Sequence, residues 1–295
     1  VAQLLVASLA GLGLVVGSTL LFFRFSWKAL YGLVPAAVAG LLLYRVDPEY
    51  YAAFLGALVI GCTAGYSFRG KKSFQFYLVT ASLAVTLVFT ANYYGLKKFE
   101  NIDLFAQSRS QFAEYIKSSE LPEEKKRELV TRIDSSMEVL RDIVPFSYFL
   151  NGLFFAAVSF FVLRHITRRF SGEALEGIRG IELFRLHDYF IFTVIGGWLG
   201  FLLIDSAAWH EPYALALNVA LVFSMLYVVQ AWGIIKFFML KRGIPLFVLP
   251  LALFIMVSLM VEILVFFLII FASIGAIDFW ADFRKLETAR DTGER

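Results

Sequence analysis

The chain has 295 residues, 59% of them hydrophobic, and a mean hydropathy of +0.73. A soluble domain is about 45–50% apolar, so this composition excludes a single soluble core and makes lipid the solvent for most of the chain. The formal net charge of +3 excludes a nucleic-acid footprint. One cysteine, Cys62, excludes an intrachain disulfide, and three scattered histidines leave no metal or cofactor cluster.

Eight apolar segments follow in chain order: 3–23, 29–44, 50–67, 74–95, 146–164, 189–205, 213–238 and 246–277. About 20 residues cross a bilayer core, so each reads as a membrane span. The opening run is longer than a secretory apolar core and has no basic start or small-residue cleavage site, so it reads as a first membrane helix. The second and sixth are short and extend into flanking polar residues. The last is too long for one perpendicular span. It reads as one tilted, protruding helix or as two short helices broken near Ser258, and the absence of Gly or Pro there favours one. The expected fold is an all-α polytopic helical bundle of about eight transmembrane helices, or nine.

Basic residues alternate between connections. Arg24, Lys28, Arg69, Lys71, Lys72, Arg164, Arg168, Arg169, Arg179, Arg185, Lys236, Lys241 and Arg242 form one set, which the positive-inside rule places in the cytoplasm. Segment 97–144 then faces outward. Eight spans with an outer amino terminus leave the carboxyl terminus outside despite Arg284, Lys285, Arg290 and Arg295; a ninth span or a re-entrant turn would repair that.

Segment 97–144 has helical periodicity in two pieces. Ile102, Phe105, Phe112 and Ile116 mark one, and Leu129, Ile133, Met137, Leu140 and Val144 mark the other. Ser118, Ser119, Glu120, Leu121 and Pro122 make the turn between them. An extramembrane helical hairpin is expected, with arms of roughly 20 residues or about 30 Å. The expected division is 1–96 for spans one to four, 97–144 for the hairpin, 145–280 for spans five to eight, and 281–295 for a polar tail.

Small-residue pairs at Gly13/Gly17, Gly61/Gly65 and Gly196/Gly200 permit close helix packing. Polar residues within spans each need a reason, because lipid leaves them unsolvated. Glu262 lies near the middle of the last apolar run and is the sharpest candidate for a substrate, proton or ion site, or for a carboxyl that locks helices together. Asn92, Asn151, Asn218 and Gln230 are its candidate partners or cavity lining, with interhelical hydrogen bonding as the plainer use. Asp205, Trp209 and His210 read as interfacial. His187 and Asp188 read as a solvated surface pair, and Arg168, Arg169, Arg179 and Arg185 as contacts to anionic lipid headgroups at the cytoplasmic face. No nucleophile elbow, metalloprotease motif or phosphate-binding loop is present, so no catalytic role is expected.

The carboxyl end carries Gly275, Asp278, Trp280, Asp282, Phe283 and Arg284 in the run 275–285. That run resembles the closing motif of the YybS-like bacterial membrane family, a domain of unknown function. Asn218 through Tyr227, Gln230, Gly233 and Lys241, and the stretch Ile143, Val144 and Pro145, are similar as well. The resemblance covers most of the chain and implies a multi-pass bacterial inner-membrane protein. The family is distantly similar to the S-components of energy-coupling-factor transporters, whose first helix docks on a partner through small residues; Ala7, Ala10 and Gly11 resemble that feature. S-components have about six spans and a cytoplasmic amino terminus, unlike the topology read here. The expectation is a small-solute binding or transport subunit, with a membrane scaffold or assembly partner as the alternative. A membrane-protein partner or a homo-oligomer is implied. Asp278 and Asp282 share one helix face, and with Arg284 and the interfacial Trp280 they read as an anchor and helix stop, a clamp to a neighbouring helix, or a grip on a partner.

Overall fold

The computed structural model describes residues 13–19, 48–70, 72–99, 103–119, 122–170, 180–245, 247–248, 251 and 261–284, of which 48–50, 52–53, 104, 165–170 and 261–264 are described by backbone alone. Among these residues all regular structure is helical. The elements are the helical stretch 13–19, α1 (Pro48–Arg69), α2 (Phe74–Phe99), α3 (Leu104–Ser118), α4 (Glu123–Asp142), α5 (Val144–Phe170), a 3₁₀ turn (Ile181–Leu183), α6 (Phe190–Leu203), α7 (His210–Lys241) and α8 (Val261–Ala281). Three helical segments, Phe74–Phe99, Val144–Arg164 and His210–Lys241, are long and apolar enough to cross a membrane, and three more (Phe54–Arg69, Phe190–Leu203 and Val265–Ala281) are apolar but shorter. The chain is an all-α, polytopic membrane protein. The expected span 29–44 lies outside the described residues, as do Ala7, Ala10 and Gly11.

The chain forms two compact units, 1–70 with 77–175, and 71–76 with 176–295. In the first, helices approach closely at Gly61 and Gly152, where a side chain is missing. Gly61 lies against Val15 and Ser18, and the Thr19 hydroxyl donates to the Gly61 carbonyl at 3.2 Å. Gly152 of α5 sits against Ser82 of α2, where an added Cβ would stand 3.1 Å from the backbone. Beside that contact the Tyr77 hydroxyl donates to the Ala156 carbonyl at 3.1 Å, and Phe68, Tyr77 and Phe160 cluster with ring centroids 5.7–6.2 Å apart.

The hairpin belongs to this unit. Asp103 caps α3 by accepting from the Phe105 and Ala106 amides at 3.0 and 3.1 Å, which satisfies donors that every helix start leaves open. These bonds, the Ala106 amide foremost, hold its carboxyl below the usual range. Arg109 reaches across to Asp134, and Ile116 is buried between the arms while Phe112, Leu129 and Leu140 are exposed. The arms have 15 and 20 residues, so the first is shorter than the roughly 20 residues expected. Pro145, with no N–H, interrupts the helical ladder between α4 and α5, yet Ser147 donates to the Ile143 carbonyl at 2.9 Å across the junction. The second arm therefore runs almost directly into a membrane helix.

In the second unit α6 and α7 form an antiparallel pair joined by a short turn, which Asp205 closes by accepting from the Ala207 amide at 3.0 Å. Gly197 and Gly200 make the contact: an added Cβ at Gly197 would lie 2.8 Å from the Ala220 nitrogen, and one at Gly200 2.9 Å from the Ala216 Cβ. Gly196, paired with Gly200 in the sequence reading, faces open space instead; a helical spacing of three, not four, falls on the buried stripe. α6 has only 14 residues, about 21 Å of helix. α7 ends in a Schellman turn, with Gly243 at φ +66 and the Ile244 amide reaching the Met239 carbonyl at 2.9 Å.

Candidate functional site: a buried polar lock at the carboxyl end

The densest polar chemistry of the second unit gathers where the 3₁₀ turn, α7 and the end of α8 meet. Two glycines open the space. At Gly233 a side chain would strike the Ile181 carbonyl, and at Gly275 it would strike the Tyr227 carbonyl. Backbone therefore lies directly on helix, and the polar groups brought with it need partners.

Those partners come from three side chains. Gln230 uses both ends of its amide: its oxygen accepts from the Leu186 amide at 2.8 Å, and its nitrogen donates to the Gly275 carbonyl at 3.0 Å and to Asp278 Oδ2 at 3.1 Å. Arg284 Nη1 donates to the Glu182 and Phe184 carbonyls, both at 2.9 Å, and Nη2 donates to Asp278 Oδ2 at 2.7 Å. Asp278 Oδ1 accepts from the Phe283 amide at 3.0 Å. The Leu183 carbonyl, left between the two that Arg284 takes, accepts from Gln75. The side chains of Asp278 and Arg284 are both 0% exposed.

Local geometry explains how the arginine returns. Asp282 has φ +37, the left-handed region that Asp tolerates better than most residues. This bend ends α8 and turns the chain so that residues 283 and 284 fold back on Asp278. Outside the buried pair, Lys236 meets Glu182 at 2.7 Å, and Arg185 lies 3.5 Å from Asp282 and 3.7 Å from Asp188. Arg284 Nε is buried without a hydrogen-bond partner.

The sequence-derived candidates divide accordingly. Gln230, Gly275, Asp278, Asp282, Phe283 and Arg284 converge here. Trp280 points away and is 68% exposed, as suits an interface. Asn218 is buried, and its amide donates to the Ala214 carbonyl of its own helix at 2.7 Å. Asn92 is half-buried and Asn151 exposed. Glu262 falls on α8, and its side chain lies outside the described residues. Gly61 packs as described, and Gly65 is buried. Arg185, read from sequence as a lipid contact, is 16% exposed and engaged with acidic side chains of its own chain. Glu182 and Gln75 join the site without having been expected from the sequence. Glu182, Arg185 and Asp188, spaced three apart, were the available signal; carbonyl acceptors carry no side-chain signature at all. Among the described residues no three His, Cys, Asp or Glu side chains gather as a metal site.

Chemically the arrangement is a closed lock. The buried charges are neutralised by each other, and apart from Arg284 Nε their remaining capacity goes to backbone and to the Gln230 amide. The sequence matches the family described as "Predicted membrane protein (DUF2232)" over residues 5–279. No curated protein and no solved structure matches the chain.

Proposed function

This chain belongs to the DUF2232 family of predicted membrane proteins, and within that family we propose that it is a small-solute binding or transport subunit of the bacterial inner membrane, akin to a YybS-like protein and to the S-components of energy-coupling-factor transporters. One observation carries the reading. Among the described residues of the first unit three hydroxyls, Ser67 Oγ, Thr90 Oγ1 and Tyr93 Oη, are buried with no hydrogen-bond partner. Each such group costs about 1–3 kcal/mol when buried unpaired. A bundle that only holds itself together gains nothing from them, whereas a solute site needs polar groups whose partner arrives with the ligand. Gln230 and Asn218 are already committed to bonds within the protein; Glu262, Asn92 and Asn151 keep their candidacy.

The chain is read as non-catalytic, with transport energy drawn from a separate partner or an ion gradient. The test is a thermal-shift screen of small solutes on the purified protein in lipid nanodiscs, run beside a nucleotide-hydrolysis assay. At least one solute should raise the melting temperature saturably, without turnover. Hydrolysis that persists in a clean preparation, or a complete absence of saturable stabilisation across the screen, counts against the reading.

The lock supports a topology. It ties Arg284 to carbonyls 182 and 184, between Arg179 and Arg185, which the positive-inside rule assigns to the cytoplasm. A cytoplasmic carboxyl terminus removes the conflict in the charge count and favours the nine-span form. A cysteine at Ser119 should react with an impermeant reagent on intact cells, and one at Thr292 only after lysis.

A scaffold role is the second reading. It is favoured by the hairpin, whose second arm continues into α5 and whose first arm exposes Phe112 and Tyr115. It is not favoured by the terminal motif, whose charges are spent internally.

A further inference from the structure

Two of the three unpaired hydroxyls lie together. Thr90 and Tyr93 are three residues apart on α2, which makes them neighbours on one face. Threonine in a helix ordinarily returns its hydroxyl to a carbonyl of the preceding turn. Thr86 does so to Ser82 at 2.7 Å and Thr63 to Val59 at 2.8 Å. Thr90 does not, and its oxygen is nevertheless buried. Tyr93 is 3% exposed, yet its hydroxyl is unpaired as well.

The surroundings limit what the pair accepts. The Phe89 ring lies 5.3 Å from that of Tyr148, and the Tyr93 ring meets Tyr94 at 5.2 Å and Phe105 edge-on at 5.8 Å. The absence of a side chain at Gly56 leaves the place that the Phe89 ring occupies. The flanking charges are engaged: Asp103 caps α3 and lies 3.6 Å from Lys97, and Arg141 lies 4.0 Å from Asp142. An ion placed here would have aromatic carbon and hydroxyls but no spare counter-charge, and an unpaired buried ion is costly. A hydroxyl group both donates and accepts, and so answers either side chain.

We propose that the Thr90 and Tyr93 hydroxyls, within the aromatic surround of Phe89, Tyr94, Phe105 and Tyr148, form a binding site for a neutral hydroxyl group, supplied by a trapped water or by a small polyol. The polyol source rests on the solute-binding reading above, and the water source stands without it.

The test uses the full chain in lipid nanodiscs with Thr90→Val, Tyr93→Phe and the double variant, each nearly isosteric. If the site is occupied, each single variant melts lower than wild type, by about 2–4 °C for each lost bond. If both single variants melt at or above wild type, the hydroxyls are dry and the proposal fails. A glycerol titration then separates the sources. Saturable extra stabilisation of wild type over the double variant identifies a polyol. An equal rise in both, with the single variants still lowered, identifies water and leaves the site standing while removing its support for solute binding.

Discussion

Two arginine–aspartate pairs organise two regions of this protein under opposite conditions. In the hairpin Arg109 holds Asp134 through two bonds of 2.6 and 2.7 Å, with side chains 59% and 33% exposed. In the lock Arg284 holds Asp278 through one bond of 2.7 Å, with both side chains fully buried. The better-formed pair is the weaker constraint. Water and salt screen it, and water solvates whichever partner is left if the other is removed. The buried pair has no such replacement. Its net worth relative to an apolar packing is small, but removing one partner strands a charge. The hairpin pair therefore sets register, whereas the lock decides whether its unit closes.

The largest effect should come from Asp278→Ala. It leaves the Arg284 guanidinium buried without its carboxylate, and the loss should be about 3–5 kcal/mol, read as early melting and as protease cleavage near 180–188. Asp278→Leu with Arg284→Met should recover only the part of that loss due to the stranded charge, because the Glu182 and Phe184 carbonyls then lose their donor; a double variant less stable than the single would overturn the stranded-charge account. Gly275→Val comes next. Its side chain would meet the Tyr227 carbonyl, and forced separation of α7 from α8 should lower stability by about 1–3 kcal/mol. Gln230→Leu should cost a similar or smaller amount, about 1–3 kcal/mol, because the Leu186 amide loses its acceptor; hydrogen exchange at that amide should rise.

Effects in the hairpin should be smaller. Asp103→Ala removes the cap of α3 and should cost about 1 kcal/mol. The folded carboxyl titrates below its ordinary value, so its contribution is complete above the unfolded pKa and is lost as pH falls through the folded one. The wild-type and Asp103→Ala hairpins should thus differ at neutral pH and converge in acid below the normal carboxylate range. Asp134→Asn should give the smallest shift, and one that high salt abolishes. A salt-independent shift would mean that the pair is better shielded than its exposure indicates.

Much of this architecture was legible along the chain. Apolar runs longer than about 18 residues have few uses outside a membrane, which is why residues 74–95, 146–164 and 213–238 correspond to α2, α5 and α7. The hairpin was legible from two amphipathic periods and the Pro122 turn. Its cap was not read, since Asp103 is one of many polar residues near a boundary. The terminal motif stood out as a pattern, but its use did not. Asp278 and Arg284 are six residues apart, off any helical repeat, and meet only because Asp282 bends the chain back.

Composition and hydrophobic periodicity by themselves determined that this is a helical membrane protein with a helical hairpin between two of its apolar helices, because burial against lipid and the backbone's need for internal hydrogen bonds leave a chain of this kind few other forms. Tertiary structure alone decided what the polar minority does. Gln230 was a plausible lining residue until the Leu186 amide and Asp278 were found on its two ends, and Arg185 a plausible lipid contact until Asp282 was found beside it. Thr90 looks no different in sequence from Thr86, yet one hydroxyl returns to its own helix and the other is buried unpaired. Carbonyl and amide partners are the same at every residue, so which side chain satisfies which is written only in the packing that brings distant backbone together.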